Sequence, residues 1–194
     1  MINPIGVIPL YLGLTASMEE RQGRQVAIKA VVTSLVTLLL FAFTGKAIFD
    51  FFSITTDSLK IVGGVLFFIM GFDMLQARAI RHRNLDENEV QYASDVAITP
   101  LAIPMICGPG AITMVILLMQ EAEDLSSKVV FLVALIGVML TTLGALLAGK
   151  GIRKRLGENG NKVLMRIMGL IVMVIAVEFF FSGLTPKIQA MFPG

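Results

Sequence analysis

TPLAIPMICGPGAITMVILLMQ, residues 99–120, decides how this chain folds. Three prolines and two glycines interrupt an apolar run long enough to cross a hydrocarbon core about 30 Å thick. Such residues end or kink helices. In lipid the backbone groups they free must face protein or a wet cavity, because nothing else there can hydrogen-bond. A second stretch, NPIGVIPLYLGLT at residues 3–15, has the same character, so five of the seven prolines fall in two similar places.

Composition fixes the solvent. Of 194 residues, 56% are hydrophobic and 15% charged, against roughly 25% charged in soluble domains. The mean hydropathy is +0.82. Apolar blocks of roughly 20 residues alternate with short charged segments, the length a spanning helix needs. None shows the polar-apolar alternation of a membrane β-barrel. The expectation is an all-α polytopic transmembrane bundle forming one domain over 1–194. A net charge of +2 gives no reason to expect nucleic acid as a partner.

Outward from the central stretch, spanning helices are predicted at about 26–43, 59–75, 128–147 and 163–182, with a broken one starting near Val96. Residues 78–95 form the longest polar stretch and read as a cytoplasmic loop between a first repeat, 1–77, and a second, 96–184. A shift of 104 or 105 residues places Pro4 on Pro109, Gly45 and Lys46 on Gly149 and Lys150, Gly64 on Gly169, Gly71 on Ala176 and Asp73 on Glu178. Six helices in two three-helix repeats are therefore expected, with the first and fourth broken. An odd number of helices per repeat inverts the second relative to the first, as in many transporters. The opening segment is too short to span. The repeat predicts that roughly 10 to 18 residues precede Met1, enough to complete a helix of about 20, so the first helix is expected to be truncated.

Lysine and arginine are unevenly divided. Arg21, Arg24, Lys29, Arg78, Arg81, Arg83, Lys150, Arg153, Lys154, Arg155, Lys162 and Arg166 fall on one side, and only Lys46, Lys60, Lys128 and Lys187 on the other. The positive-inside rule makes the first side cytoplasmic and puts both termini outside.

Candidate site residues follow from the two breaks. A proline and glycine break in each half exposes amides and carbonyls that can meet near the midplane and hold a solute. The residues are Asn3, Pro4 and Gly6 in the first half and Gly108, Pro109, Gly110 and Thr113 in the second. A helix beginning beyond Gly110 would offer partial positive charge to a carboxylate. The plainer reading is that the prolines only kink helices for packing. Asp73 and Glu178 are acids near the ends of spanning helices, which makes them candidates for ion coupling. Small residues seven apart, Gly64 and Gly71, Gly137 and Gly144, Gly169 and Ala176, suit close helix packing.

His82 is the only histidine and Cys107 the only cysteine, so neither a metal nor a disulfide is expected. There is no Walker loop and no nucleophile set. No cofactor and no enzymatic activity are expected.

At NPIGVIPLYLGLT, KIVGGVLFFIMGFDML, TPLAIPMICGPGAIT and RIMGLIVMVIAVEFF the chain resembles the MarC family of bacterial and archaeal inner-membrane proteins, also called UPF0056, over essentially its whole length. The resemblance implies six spanning helices with external termini and kinship with LysE-type exporters and SnatA-type carriers of small neutral amino acids. It assigns to Asn3, Pro4, Gly6, Gly108, Pro109 and Gly110 the family's two motifs. The function it implies is secondary transport or export of small neutral amino acids, glycine or alanine among them, or related metabolites. The alternative is a non-transporting structural or assembly protein. Membrane lipids are expected partners, and a homo-oligomer is open.

Overall fold

The computed structural model describes residues 2–16, 18–76 and 89–191, and every regular element among them is helical. Helix α1, Pro4–Leu14, begins where Pro4 takes the first helical position, at which a missing N–H costs nothing. Asn3 precedes it in extended conformation, and its Oδ1 accepts the Gly6 amide at 3.1 Å. At the other end the Thr15 hydroxyl donates to the Tyr11 carbonyl at 2.7 Å. All residues from Gly6 to Leu14 are buried, so α1 is enclosed on every side, as an all-apolar helix requires. Its 11 residues reach about 16 Å, half a hydrocarbon core.

Helix α2, Glu20–Phe52, starts beside Glu19, whose amide donates to Gln22 Oε1 at 3.0 Å. It ends at Ser53 in the left-handed conformation, φ 53°. After this tight turn the Thr55 hydroxyl caps α3, Thr56–Leu75, by accepting the Ser58 amide at 3.2 Å. Both helices outrun the expected 26–43 and 59–75, and the aromatic FDFF, expected in a connection, is helical. The apolar block marks only the part in lipid, while the helix itself continues wherever water satisfies its outward groups.

The loop expected at 78–95 is corrected for its second part: Glu89–Val96 is helix α4. Residues 78–88, with Arg78, Arg81, His82 and Arg83, lie outside the described residues. Beyond α4 the chain winds irregularly over Ala97–Ile106, with extended backbone at Thr99 (φ −128°, ψ 122°) and Ile103 (φ −121°, ψ 122°). Each of these precedes a proline, whose ring clashes with a helical predecessor. Helix α5, Pro109–Glu121, then departs at 58° to the segment before it, so the fourth span is broken between Ile106 and Pro109.

Helix α6, Leu125–Met191, contains one break, at Gly157 with φ 67°, a conformation that only glycine adopts freely. Its arms, Leu125–Gly149 and Asn159–Met191, are each long and apolar enough to cross a membrane, as are α2 and α3. The bent pair around Cys107 makes a fifth candidate span. The chain is thus an all-α, polytopic membrane bundle. The second arm also passes the expected end of the last helix at 182, carrying Pro186 inside it.

Two sets of contacts relate the halves. Pro109 lies 105 residues after Pro4, and Leu125 lies 105 after Glu20, so α5 and α6 begin where the same shift carries the starts of α1 and α2. The contacts exchange as well, under a shift of 105 for the first set and 104 for the second. A β-carbon on Gly64 would sit 2.7 Å from the Ala176 carbonyl oxygen, and one on Gly169 2.6 Å from that of Gly71. Likewise Gly45 of α2 receives Ile116 of α5, with 2.5 Å from a β-carbon to Cγ1, and Gly149 receives Ile8 and Leu12 of α1 at 3.2 and 3.5 Å. Such mutual exchange is what a two-fold axis produces.

Small residues bring α3 and the second arm together, because helix packing in lipid gains from close backbone approach. The expectation fails for Gly137 and Gly144: both are exposed, and nothing lies within 4 Å of a β-carbon at either. Their seven-residue spacing puts them on a face that no helix among the described residues covers.

Candidate functional site

The two halves start their inner helices differently. In the first, Asn3 is exposed, and its Oδ1 is engaged in capping Gly6. A β-carbon on Gly6 would lie 2.9 Å from Asn3 Nδ2, so glycine there leaves room for the cap. The N-P-x-G motif is therefore, first of all, a helix start. In the second half Gly108 holds the equivalent position, in extended conformation (φ −81°, ψ 171°), and no side chain caps α5. Gly108, Pro109 and Gly110 are all buried.

Helix α3 closes over this second start. A β-carbon on Gly63 would be 2.5 Å from Pro109 Cβ, and one on Gly108 would be 2.5 Å from both Phe67 Cζ and the Pro104 carbonyl oxygen. No side chain fits at 108. The α5 start is consequently walled by Phe67 and Gly63 on one flank.

On another flank a groove of about 240 Å³ opens between α5 and the first arm of α6. Ile2, directly ahead of the Asn3 cap, and Ala111, in the first turn of α5, line the same groove, together with Met114, Val115, Phe131 and Leu135. This brings the two helix starts to one space, and the side chains that line it are apolar.

Thr113 differs from six other hydroxyls of the spanning helices. Ser34, Thr37, Thr44, Thr141, Thr142 and Thr185 each donate to the carbonyl four residues back, at 2.7 to 2.9 Å. Thr113 is 5% exposed and its Oγ1 has no partner. Sequence reading passed over Ser34, which is fully buried and also reaches the Ala102 carbonyl at 3.4 Å, tying α2 to the irregular segment. A serine among valines and leucines in VVTSLVT was the available signal.

Asp73 and Glu178 do not share a site. They flank opposite ends of the α3 crossing defined by Gly64 against Ala176 and Gly71 against Gly169, which separates them by roughly 16 Å along the helices. Asp73 is half-buried and Glu178 exposed. The ion pair of Lys60 with Asp57, at 3.1 Å, is one turn of α3 apart and half-exposed, a geometry that contributes little stability.

Comparison with known proteins agrees with this architecture. The family model described as MarC family integral membrane protein matches residues 1–188. A UPF0056 membrane protein of Pyrococcus horikoshii is 38% identical over 94% of this chain and 88% of its own length. Those of Bacillus subtilis and Escherichia coli are 30% and 27% identical, over 98% and 100% of this chain and 90% and 89% of theirs. No solved structure matches the chain. With a bundle of spanning helices and a match over nearly its whole length, the chain belongs to the MarC family of integral membrane proteins.

Proposed function

We propose that this chain is a secondary transporter or exporter of small neutral amino acids or related metabolites in the cytoplasmic membrane, working by alternating access around the two inner helix starts. The observation that carries the reading is the groove lined jointly by Ile2 and Ala111, beside one capped and one uncapped helix start. Broken helices presenting backbone groups at a repeat interface are a recurrent way to build a solute site in lipid. The exchange of Gly45 and Gly149 contacts supports reading the halves as inverted repeats, each seating the other's inner helix. In this reading both termini are outside, by the lysine and arginine asymmetry.

The second reading, a non-transporting membrane protein, draws on the self-satisfied Asn3 cap and on the tight seating of Phe67 against Gly108. Uptake and counterflow of labelled glycine, alanine and serine in proteoliposomes separate the two. The transporter reading expects saturable flux and trans-stimulation. Flux equal to that of empty vesicles across a wide solute panel would leave the second reading standing.

A further inference from the structure

The second arm of α6 carries an acid on the face turned away from the bundle. Because the helix runs on to Met191, Glu178 is not near its end. Arg166 precedes it by twelve residues and Lys187 follows it by nine, about 18 Å and 14 Å along the helix, which together match a hydrocarbon core about 30 Å thick. Glu178 therefore sits close to the midplane. Gly169 and Ala176 are the residues pressed against α3. Glu178 lies nine residues beyond Gly169, about two and a half turns, which puts it on the opposite side of the helix. It is exposed, and among the described residues no hydrogen bond or ion pair reaches it.

The acid belongs to a longer pattern on that face. Ile171, Ile175, Glu178, Ser182, Thr185 and Gln189 follow one another at alternating steps of four and three residues, and all six are exposed. Such heptad spacing forms the seam of a coiled coil, here with its last four positions polar. The Ser182 and Thr185 hydroxyls already donate to the carbonyls of Phe179 and Phe181 at 2.9 Å, which leaves their oxygens to serve as acceptors. Pro186 adds another acceptor, because it has no N–H to give the Ser182 carbonyl. The Glu178 carboxyl, when it carries its proton, is the matching donor.

We propose that this face of the second arm pairs with the same face of a second copy of the chain, the Glu178 carboxyl of each copy hydrogen-bonding to the partner's Ser182. Acids inside a membrane face protein or a wet cavity, and lipid tails have nothing to offer Glu178. A second copy fits for two reasons. Copies inserted alike in one membrane meet as parallel helices about a two-fold axis along the membrane normal, which sets each heptad layer against its own counterpart. The stripe is also complementary to itself, because the donor at Glu178 and the acceptors at Ser182 lie one layer apart. Lipid tails are as apolar as the two isoleucines, so it is the polar layers that favour the pair over lipid.

The test follows the purified full chain, singly labelled, in liposomes over a range of protein-to-lipid ratios, with the dimer fraction read from two-step photobleaching. The wild type should pass reversibly from monomer to dimer as its density in the membrane rises. Glu178→Leu should move the midpoint to a density about threefold to thirtyfold higher, since an apolar side chain gains nothing there over lipid. Glu178→Gln keeps a donor and an acceptor and should dimerise as the wild type does. Oxidation should cross-link Ser182→Cys into dimers, but neither Leu140→Cys, on the exposed face of the first arm, nor the wild type, whose single Cys107 is buried. A wild type that stays monomeric at every density, leaving the face to lipid or to another protein, would overturn the proposal. So would Glu178→Leu dimerising like the wild type, or cross-linking through Leu140→Cys in place of Ser182→Cys. In dilute membranes Glu178→Leu should melt no lower than the wild type; a lower melting temperature there would mean that the acid works within one copy, which overturns the pairing as well.

Discussion

Gly71 and Gly169 meet backbone to backbone where α3 crosses the second arm of α6: a β-carbon on Gly71 would lie 2.8 Å from the Gly169 carbonyl oxygen, and one on Gly169 2.6 Å from that of Gly71. Neither carbonyl can retreat without moving its helix. Gly71→Ala or Gly169→Ala should therefore destabilise the bundle by about 1–3 kcal/mol, measured by unfolding in mixed micelles. Stability equal to wild type in both variants would mean that the helices do not cross at these residues.

Gly45 meets a side chain rather than backbone, and the outcome should differ. A β-carbon there would be 2.5 Å from Ile116 Cγ1, the movable part of the clash. Gly45→Ala should cost about 1–2 kcal/mol, and it should cost less in an Ile116→Ala background, where both clashing carbons are gone, a favourable coupling of about 0.5–1 kcal/mol in a double-mutant cycle. Gly149→Ala, whose β-carbon would find Ile8 Cγ2 at 3.2 Å, should cost less than Gly45→Ala. Additive effects of the Gly45 and Ile116 changes would refute the contact.

Gly137 and Gly144 offer the opposite case. With open space around a β-carbon at each, alanine should stabilise the first arm by about 0.5–1 kcal/mol per site, through helix propensity alone. A loss of stability instead would reveal a contact that the described helices do not make.

The start of α6 carries a pH-sensitive cap. The Ser127 hydroxyl donates to the Asp124 carboxylate, and the Ser126 and Ser127 amides add to this, holding that carboxyl below its ordinary value of 3.8. A carboxyl lowered on folding contributes fully above its unfolded value and loses that contribution as pH falls through the lower folded one. Hydrogen exchange at Ser126 and Ser127, corrected for intrinsic rates, should show protection that fades only below pH 3.8 in the wild type and is reduced at neutral pH in Asp124→Asn. Identical protection in both proteins would remove the cap.

Much of this architecture was readable from residue types with strong backbone preferences. Pro4 and Pro109 announced two helix starts, and the glycines at 64, 71 and 169 announced a close crossing, because proline and glycine act locally. Helix length was not readable, since hydropathy reports the lipid-facing stretch and α2 continues through Lys46 and Asp50 to Phe52. Helix α4 was hidden by its polarity, which in isolation looks like a loop. The partners of Gly45 and Gly149 were hidden because they lie in the opposite half of the sequence. For the site, sequence named Gly108, Gly110 and Thr113 together, but that Asn3 is already engaged and Thr113 is not depends on rotamers that no pattern encodes.

The exchange of glycine seats also sets an order of events during synthesis. Helix α3 is complete about a hundred residues before Gly169 and Ala176 exist to meet Gly71 and Gly64. At about 5–20 residues per second, that leaves its Gly64 and Gly71 seats empty for roughly 5–20 s. Helix α1 waits similarly for the seat at Gly149. During that interval the first half must rest in lipid, or against the insertion machinery, with its closest-packing surfaces empty, and any second nascent copy nearby offers the same seats.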